Sequence, residues 1–159
     1  MPTGAGVNQR KAVRMSDEEV VAFLASRRVA TMCTFNLDGT IHAVAMWYGF
    51  LDGAVAFETK AKSQKAQNLR RDPRMTCLFE AGEAYGELRG VELVGHVEIV
   101  EDPAAMHELG VSVYERYYGE YREELRGVIE GLLHKRIVAK LVVERTVSWD
   151  HRKLEAPAG

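Results

Sequence analysis

Three lysines, Lys60, Lys62 and Lys65, crowd the expected start of a short helix in the stretch Thr59-Lys-Ala-Lys-Ser-Gln-Lys-Ala-Gln-Asn-Leu-Arg-Arg-Asp-Pro73. A helix N-terminus carries partial positive charge, so lysines there cost stability. The same place presents free backbone N–H groups that bind phosphate. Lysines that oppose the dipole make chemical sense if an anion sits between them. Ser63 stands where an N-cap is expected, and its hydroxyl can serve a phosphate as well as a backbone N–H. Thr59 adds a second hydroxyl. The spacing points to a phosphorylated ligand. The plainer alternatives are a solvated helix start for the lysines and ordinary strand surface for Thr59. Arg70 and Arg71 fall in the last turn, where cations suit the dipole.

This cationic stretch is local. Residues 60–74 hold six basic residues (Lys60, Lys62, Lys65, Arg70, Arg71, Arg74) against one acid, Asp72, while the 159-residue chain has a net charge of −2. That balance, with no aromatic residues interleaved among the cations, argues against a nucleic-acid partner. Cys33 and Cys77 lie far apart in apolar runs and read as reduced core residues. No Cys/His spacing suggests a metal. No run approaches the roughly 18 apolar residues of a membrane span, and the N-terminus lacks the apolar stretch of a signal peptide, so a cytoplasmic protein with no membrane partner is expected. Residues 1–14 and 155–159 are expected to be flexible tails around a single domain spanning 15–154.

The elements that must position the lysines follow from the pattern. Ser16-Asp-Glu-Glu19 predicts a capping box, opening a helix to about Arg28 that buries Val20, Val21, Phe23 and Leu24. Val29–Phe35, Ile41–Phe50 and Ala54–Glu58 read as three strands of a meander, joined at Asn36-Leu-Asp-Gly39 and Asp52-Gly53. The lysine-rich helix runs from about Ser63 to Arg71 and stops before Pro73. Strands are expected at Arg74–Glu80 and Gly86–Val100, the second with Val91, Leu93, Val97 and Ile99 on one face. Asp102-Pro103 starts a helix with the stripe Met106, Leu109, Val113, Tyr117. Another carries Leu125, Val128, Ile129, Leu132 and Leu133. A last strand spans Arg136–Trp149.

The expected fold class is mainly β (α+β): six antiparallel strands closed into a barrel so that no edge is exposed, with peripheral helices. The second strand is apolar on both faces, His42, Val44, Met46 and Tyr48 on one and Ala43, Ala45, Trp47 and Gly49 on the other. A strand of this kind is usually covered twice. The barrel core supplies one cover and a second subunit the other, so a homodimer is expected.

Several of these pieces together resemble the pyridoxamine-phosphate-oxidase-like, flavin-binding split-barrel proteins, and most closely their actinobacterial branch that uses the deazaflavin F420. The carriers are Arg28-Val-Ala-Thr-Met32, the turn Asp38-Gly39, the strand His42-Ala-Val-Ala-Met-Trp-Tyr48, the helix start Thr59-Lys60 and Ser63-Gln-Lys-Ala-Gln-Asn-Leu69, Asp72-Pro-Arg74, and Ser148-Trp-Asp-His-Arg152. They cover roughly Val20 to Leu154. The resemblance implies the split form of that barrel, a six-stranded antiparallel split β-barrel, with a cofactor in a groove between two subunits. Its phosphate would be held by Thr59, Lys60, Lys62, Ser63 and Lys65, and its ring would lie along Val44, Ala45, Met46 and Trp47. The partner subunit would contribute Trp149 and Arg152. The oxidase members' C-terminal Arg and His are matched only loosely by Trp149-Asp150-His151-Arg152, which read equally as a strand-end salt bridge.

The implied activity is hydride transfer between F420 and a small or medium conjugated substrate, with FMN as the alternative cofactor. A pyridoxamine-phosphate-oxidase-type FMN oxidase or reductase and a non-catalytic flavin, F420 or haem carrier are the alternatives. The acidic tail of F420 would suit the extra cations of residues 60–74. Tyr48 and His42 are the candidate proton donors beside solvent; core or interface roles remain open for Trp47, Tyr48, His42 and His96. The dipole argument has a direct consequence. Replacing Lys60 and Lys65 by Ala should weaken cofactor binding strongly, yet leave the ligand-free protein as stable or slightly more stable in urea unfolding. A loss of ~2 kcal/mol or more would instead mark the lysines as structural.

Overall fold

The computed structural model describes residues 8–154. In chain order it contains α1 (Gln9–Ala12), α2 (Asp17–Ser26), β1 (Ala30–Phe35), β2 (Ile41–Met46), β3 (Gly49–Leu51), β4 (Ala54–Lys60), α3 (Gln64–Arg71), β5 (Arg74–Ala81), β6 (Arg89–Val100), α4 (Pro103–Tyr117), α5 (Arg126–Leu133) and β7 (Arg136–Asp150). All ladders are antiparallel, and the strands form one sheet in the order β2-β1-β5-β6-β7-β4-β3.

The strand count is therefore seven, not six, because the expected second strand breaks at Trp47-Tyr48. The cause is a close approach to α4. A Cβ on Gly49 would lie 2.9 Å from Ser112 Oγ and 3.0 Å from Val113 Cγ2. Phe50 N donates to Ser112 Oγ, and Tyr48 N to Tyr117 Oη. The chain leaves β1 to follow this helix, so the expected three-strand meander does not form. β2 pairs with β1, and β4 pairs with β3 and β7.

The order also explains the curl. β2 and β3 stand at opposite ends of the sheet, yet only two residues separate Met46 from Gly49. Three Cα steps reach at most about 11 Å, so the sheet must bend until its edges stand side by side. No ladder joins them. The result is a curled half-barrel, open where a closed one was expected.

Inside the curl lie Met32, Tyr48, Phe57, Met75, Cys77, Phe79 and Val91, with Phe23 and Leu24 of α2 closing one side. Burial pushes the Cys77 thiol pKa up, and both cysteines are free, as expected. Outside, Leu51, Ala56 and Val138 pack against Leu109 and Val113 of α4. The capping box forms as predicted between Ser16 and Glu19. Val21 is exposed, contrary to expectation, because Val20, Phe23 and Leu24 define the i, i+3, i+4 stripe and Val21 lies off it. α5 likewise buries only Ile129, leaving Val128 and Leu132 exposed. It is two turns long and meets α4 through Gly110, where a Cβ would come within 2.7 Å of Ile129. The strand expected from Gly86 begins at Arg89, after a 3-10 turn over Tyr85–Glu87.

Of the expected tails, residues 1–7 and 155–159 lie outside the described residues. The packed chain nevertheless starts before residue 15: Gln9–Ala12 form a helical turn, Val13 is buried, and Asp150 N donates to Val13 O at 2.7 Å.

The break at Trp47-Tyr48 is clasped from two helices. Tyr48 is fully buried, and its hydroxyl donates to Leu24 O and Arg27 O at the end of α2. Arg116 of α4 donates to Tyr48 O (3.0 Å), Ala25 O (3.2 Å) and Arg27 O (2.6 Å), and its guanidinium lies 4.5 Å from the Tyr48 ring centre. Tyr117 Oη donates to Arg28 O, and its ring stacks on Trp47 at 4.1 Å. Burial raises the Tyr48 pKa to about 12. The unfolded phenol ionises near 10, so unfolding releases a proton above that pH. Stability should fall between about pH 10 and pH 12 in urea titrations, and Tyr48→Phe should lessen that fall. At neutral pH the same variant should cost about 1–2 kcal/mol, because Leu24 O loses the Tyr48 donor while Arg27 O keeps Arg116.

Candidate functional site

The start of α3 is a rigid platform. Ser63 caps the helix, accepting from Ala66 N at 3.2 Å, and shares a 3.2 Å hydrogen bond with Thr59 Oγ1 at the end of β4. The preceding loop is pinned by its own carbonyls. Ser63 N donates to Lys60 O, Gln67 Nε2 to Lys62 O, Arg70 Nη1 to Ala61 O, and Ala61 N to Lys135 O. Buried Asn68 ties the far side of the helix to β1 by donating to Thr34 Oγ1 and Asn36 Oδ1, and its Oδ1 accepts from Gln64 and Arg71.

Several cations flank this platform. Lys60 and Lys62 are exposed and Lys65 is half-buried. Arg136, which the sequence reading missed, pairs in register with Lys60 across β4 and β7. Like charges directly opposite destabilise a ladder, so this pair repeats the oddity of the lysines. Burial and then the Arg136 charge lower the Lys65 pKa. The first turn of α3 contains no acid, and among the described residues none of these four cations makes an ion pair. The nearby Glu58 carboxyl is pushed up by burial against the pull of Arg136, and its Oε2 is buried without a partner. The arrangement suits a bound anion, and the donors suit phosphate: three ammonium groups, a guanidinium and a hydroxyl.

The other predicted site residues divide. Thr59 is buried, so it supports Ser63 and does not face solvent. His42 of β2 comes beside the helix start, lining an open depression with Asn36, Leu37, Asp38 and Gln64. Side chains along a strand alternate, so Val44, Ala45, Met46 and Trp47 do not share one face. Val44 and Met46 turn toward the core, while Ala45 and Trp47 are exposed. Trp47 already has one face covered by Tyr117. Tyr48 is enclosed with its hydroxyl engaged, which removes it from any solvent-reachable groove. Trp149 lies flat over Gly90, where a Cβ would come within 2.1 Å of its ring. Arg152 forms a two-point ion pair with buried Asp150, which lowers the Asp150 pKa. Among the described residues no cluster of His, Cys, Asp and Glu could hold a metal, and no helix is long and apolar enough to cross a membrane.

The fold is an antiparallel half-barrel with a cationic helix start after its fourth strand. Residues 16–150 match the family model described as pyridoxamine 5'-phosphate oxidase, and the chain belongs to that family. It is similar to a conserved hypothetical protein from Mycobacterium tuberculosis, with 49% identity over 95% of this chain and 94% of that one and a TM-score of 0.91. It also resembles a haem-binding protein from Mycobacterium smegmatis (25% identity over 89% of this chain and 60% of that one, TM-score 0.60). An F420 reductase shares the fold at 24% identity over 79% of this chain and 93% of that one, with a TM-score of 0.61. No curated protein matches.

Arg136→Gln should weaken inorganic phosphate binding several-fold by calorimetry. Because a bound anion raises the lowered Lys65 pKa, wild-type affinity should fall as the pH rises through it, and this fall should shrink in Lys65→Ala.

Proposed function

We propose that the protein is an oxidoreductase using F420, passing a hydride between the deazaflavin and a small or medium conjugated substrate. The observation that carries this reading is the set of cations near the Ser63 cap, Lys60, Lys62, Lys65 and Arg136, that make no ion pair among the described residues. They would hold the cofactor phosphate, with Thr59 orienting Ser63. The ring would lie near β2, against the exposed side of Ala45 or above the depression that His42 lines. When bound, the deazaflavin supplies the hydride chemistry; the chain's own residues bind it, orient it and exclude water. His42 or solvent would supply a proton, and Tyr48 drops out of that role.

A homodimer would complete the same site. The outward side of β2 presents Ile41, Ala43 and Ala45 to solvent. It borders a groove of about 400 Å³ lined by Cys33, Phe35, Ile41, Thr76 and Val94, among others. A second copy covering this face would bury that apolar surface. It could bring its Trp149 and the free edge of its Arg152 guanidinium to the cofactor.

The haem-binding relative favours a second reading, a non-catalytic carrier. The test is to titrate purified protein with F420 and with FMN, following bound chromophore. F420 is expected to bind, and its reduced form to be oxidised by members of a panel of quinones, enones and tetrapyrroles. FMN binding at micromolar or better with no F420 binding would sink the F420 reading. Bound, reduced F420 that stays unoxidised across the panel would favour the carrier.

A further inference from the structure

One acid sits among the cations of the β4–β7 ladder. The register sets Ala56, Glu58 and Lys60 opposite Lys140, Val138 and Arg136. Side chains alternate along a strand, so these six share one face. Glu58 therefore has Arg136 and Lys140 on its two diagonals, within reach of long side chains. Lys140 is already taken, its Nζ donating to Asp52 Oδ2 at 3.0 Å. Arg136 pulls the Glu58 pKa down and also lowers that of Lys65. Its charge thus acts on both groups and links Glu58 to the start of α3.

Yet among the described residues Glu58 makes no ion pair, and its Oε2 is buried with no hydrogen-bond partner. A carboxylate whose role was to neutralise Arg136 would close on it, as Asp150 closes on Arg152 at 2.7 Å. An unpaired buried oxygen costs stability. Burial also raises the Glu58 pKa by more than Arg136 lowers it, so the ionised carboxyl works against the fold. A negative charge is therefore held beside the anion site without serving the fold. It acts on whatever anion arrives.

We infer that Glu58 is a specificity residue of the anion site, selecting a singly charged phosphodiester against a doubly charged phosphomonoester. The inference deepens the proposed function and rests on its anion site. Repulsion from a fixed carboxylate scales with the charge of the ligand. Lys60, Lys62, Lys65 and Arg136 attract both esters and favour the dianion. Glu58 takes back part of that advantage and leaves the monoanion less affected. The phosphate of F420 is a diester and that of FMN a terminal monoester, so this charge tilts the platform toward the deazaflavin.

The test uses the full chain with methyl phosphate and dimethyl phosphate as probes, followed by phosphorus NMR titration at about pH 8, where the monoester carries two charges. Glu58→Gln keeps the shape and removes the charge. It should tighten methyl phosphate about tenfold more than dimethyl phosphate, as expected for one extra ligand charge near a carboxylate at a protein surface. Glu58→Met, similar in size and apolar, should shift the ratio the same way, so a folding defect in one variant does not decide the result. In urea both should unfold no more easily than the wild type. An unchanged ratio of the two affinities would overturn the inference and leave the anion site standing. Equal weakening of both esters would mark Glu58 as structural support for Arg136 and overturn it too. If the wild type binds neither ester, or binds them equally well after Lys60→Ala/Lys65→Ala, the anion site itself falls and the role of Glu58 with it.

Discussion

The fold hangs on one two-residue crossing. Trp47 and Tyr48 carry the chain from one edge of the sheet to the other, and every later strand is placed by that step. The crossing has no ladder partner, so its backbone groups must be satisfied by side chains, as buried peptide groups require. Arg116, Tyr117 and the Tyr48 hydroxyl do this, drawing the ends of α2 and α4 together at the same point. Charge-assisted bonds to carbonyls are stronger than neutral ones, and the Arg116 guanidinium adds contact with the Tyr48 and Phe50 rings. The clasp holds the half-barrel curled while its edges stay unpaired.

That curl in turn builds the anion site. Because β4 is driven to the far edge, it pairs with β7, and its last residue, Lys60, faces Arg136. The helix that follows has to span back toward β1, where Asn68 anchors it to Thr34 and Asn36. Its N-terminus is left over the junction of β4 and β7, with lysines on both sides. Repulsion among these groups is stored in the ligand-free protein. Lys65, its pKa lowered by burial and by Arg136, is the kind of perturbed group that clusters at functional sites.

The helix start was legible from sequence because its signal is local: a serine cap, lysines against the dipole and a proline stop. The capping box at Ser16 and the cap at Asp102 were legible for the same reason. Arg136 was not, since nothing in the chain around residue 136 says which strand it will face. Thr59 read as a phosphate ligand because alternation along β4 does not reveal which side the core will take. The long second strand read as continuous because Trp47 and Tyr48 are both good strand formers. Its break is imposed by Gly49 meeting α4, a contact between residues some sixty positions apart.

The amino-acid order alone therefore showed most of the helices and strands, the family resemblance and the cationic helix start, whose signals lie within a few residues of one another. Tertiary structure decided the rest. It opened the barrel, retired Tyr48 into the core and brought Arg136 to Lys60. Each of these depends on which distant segments share an edge or a face, and strand pairing between distant segments is the property that a periodic pattern carries least.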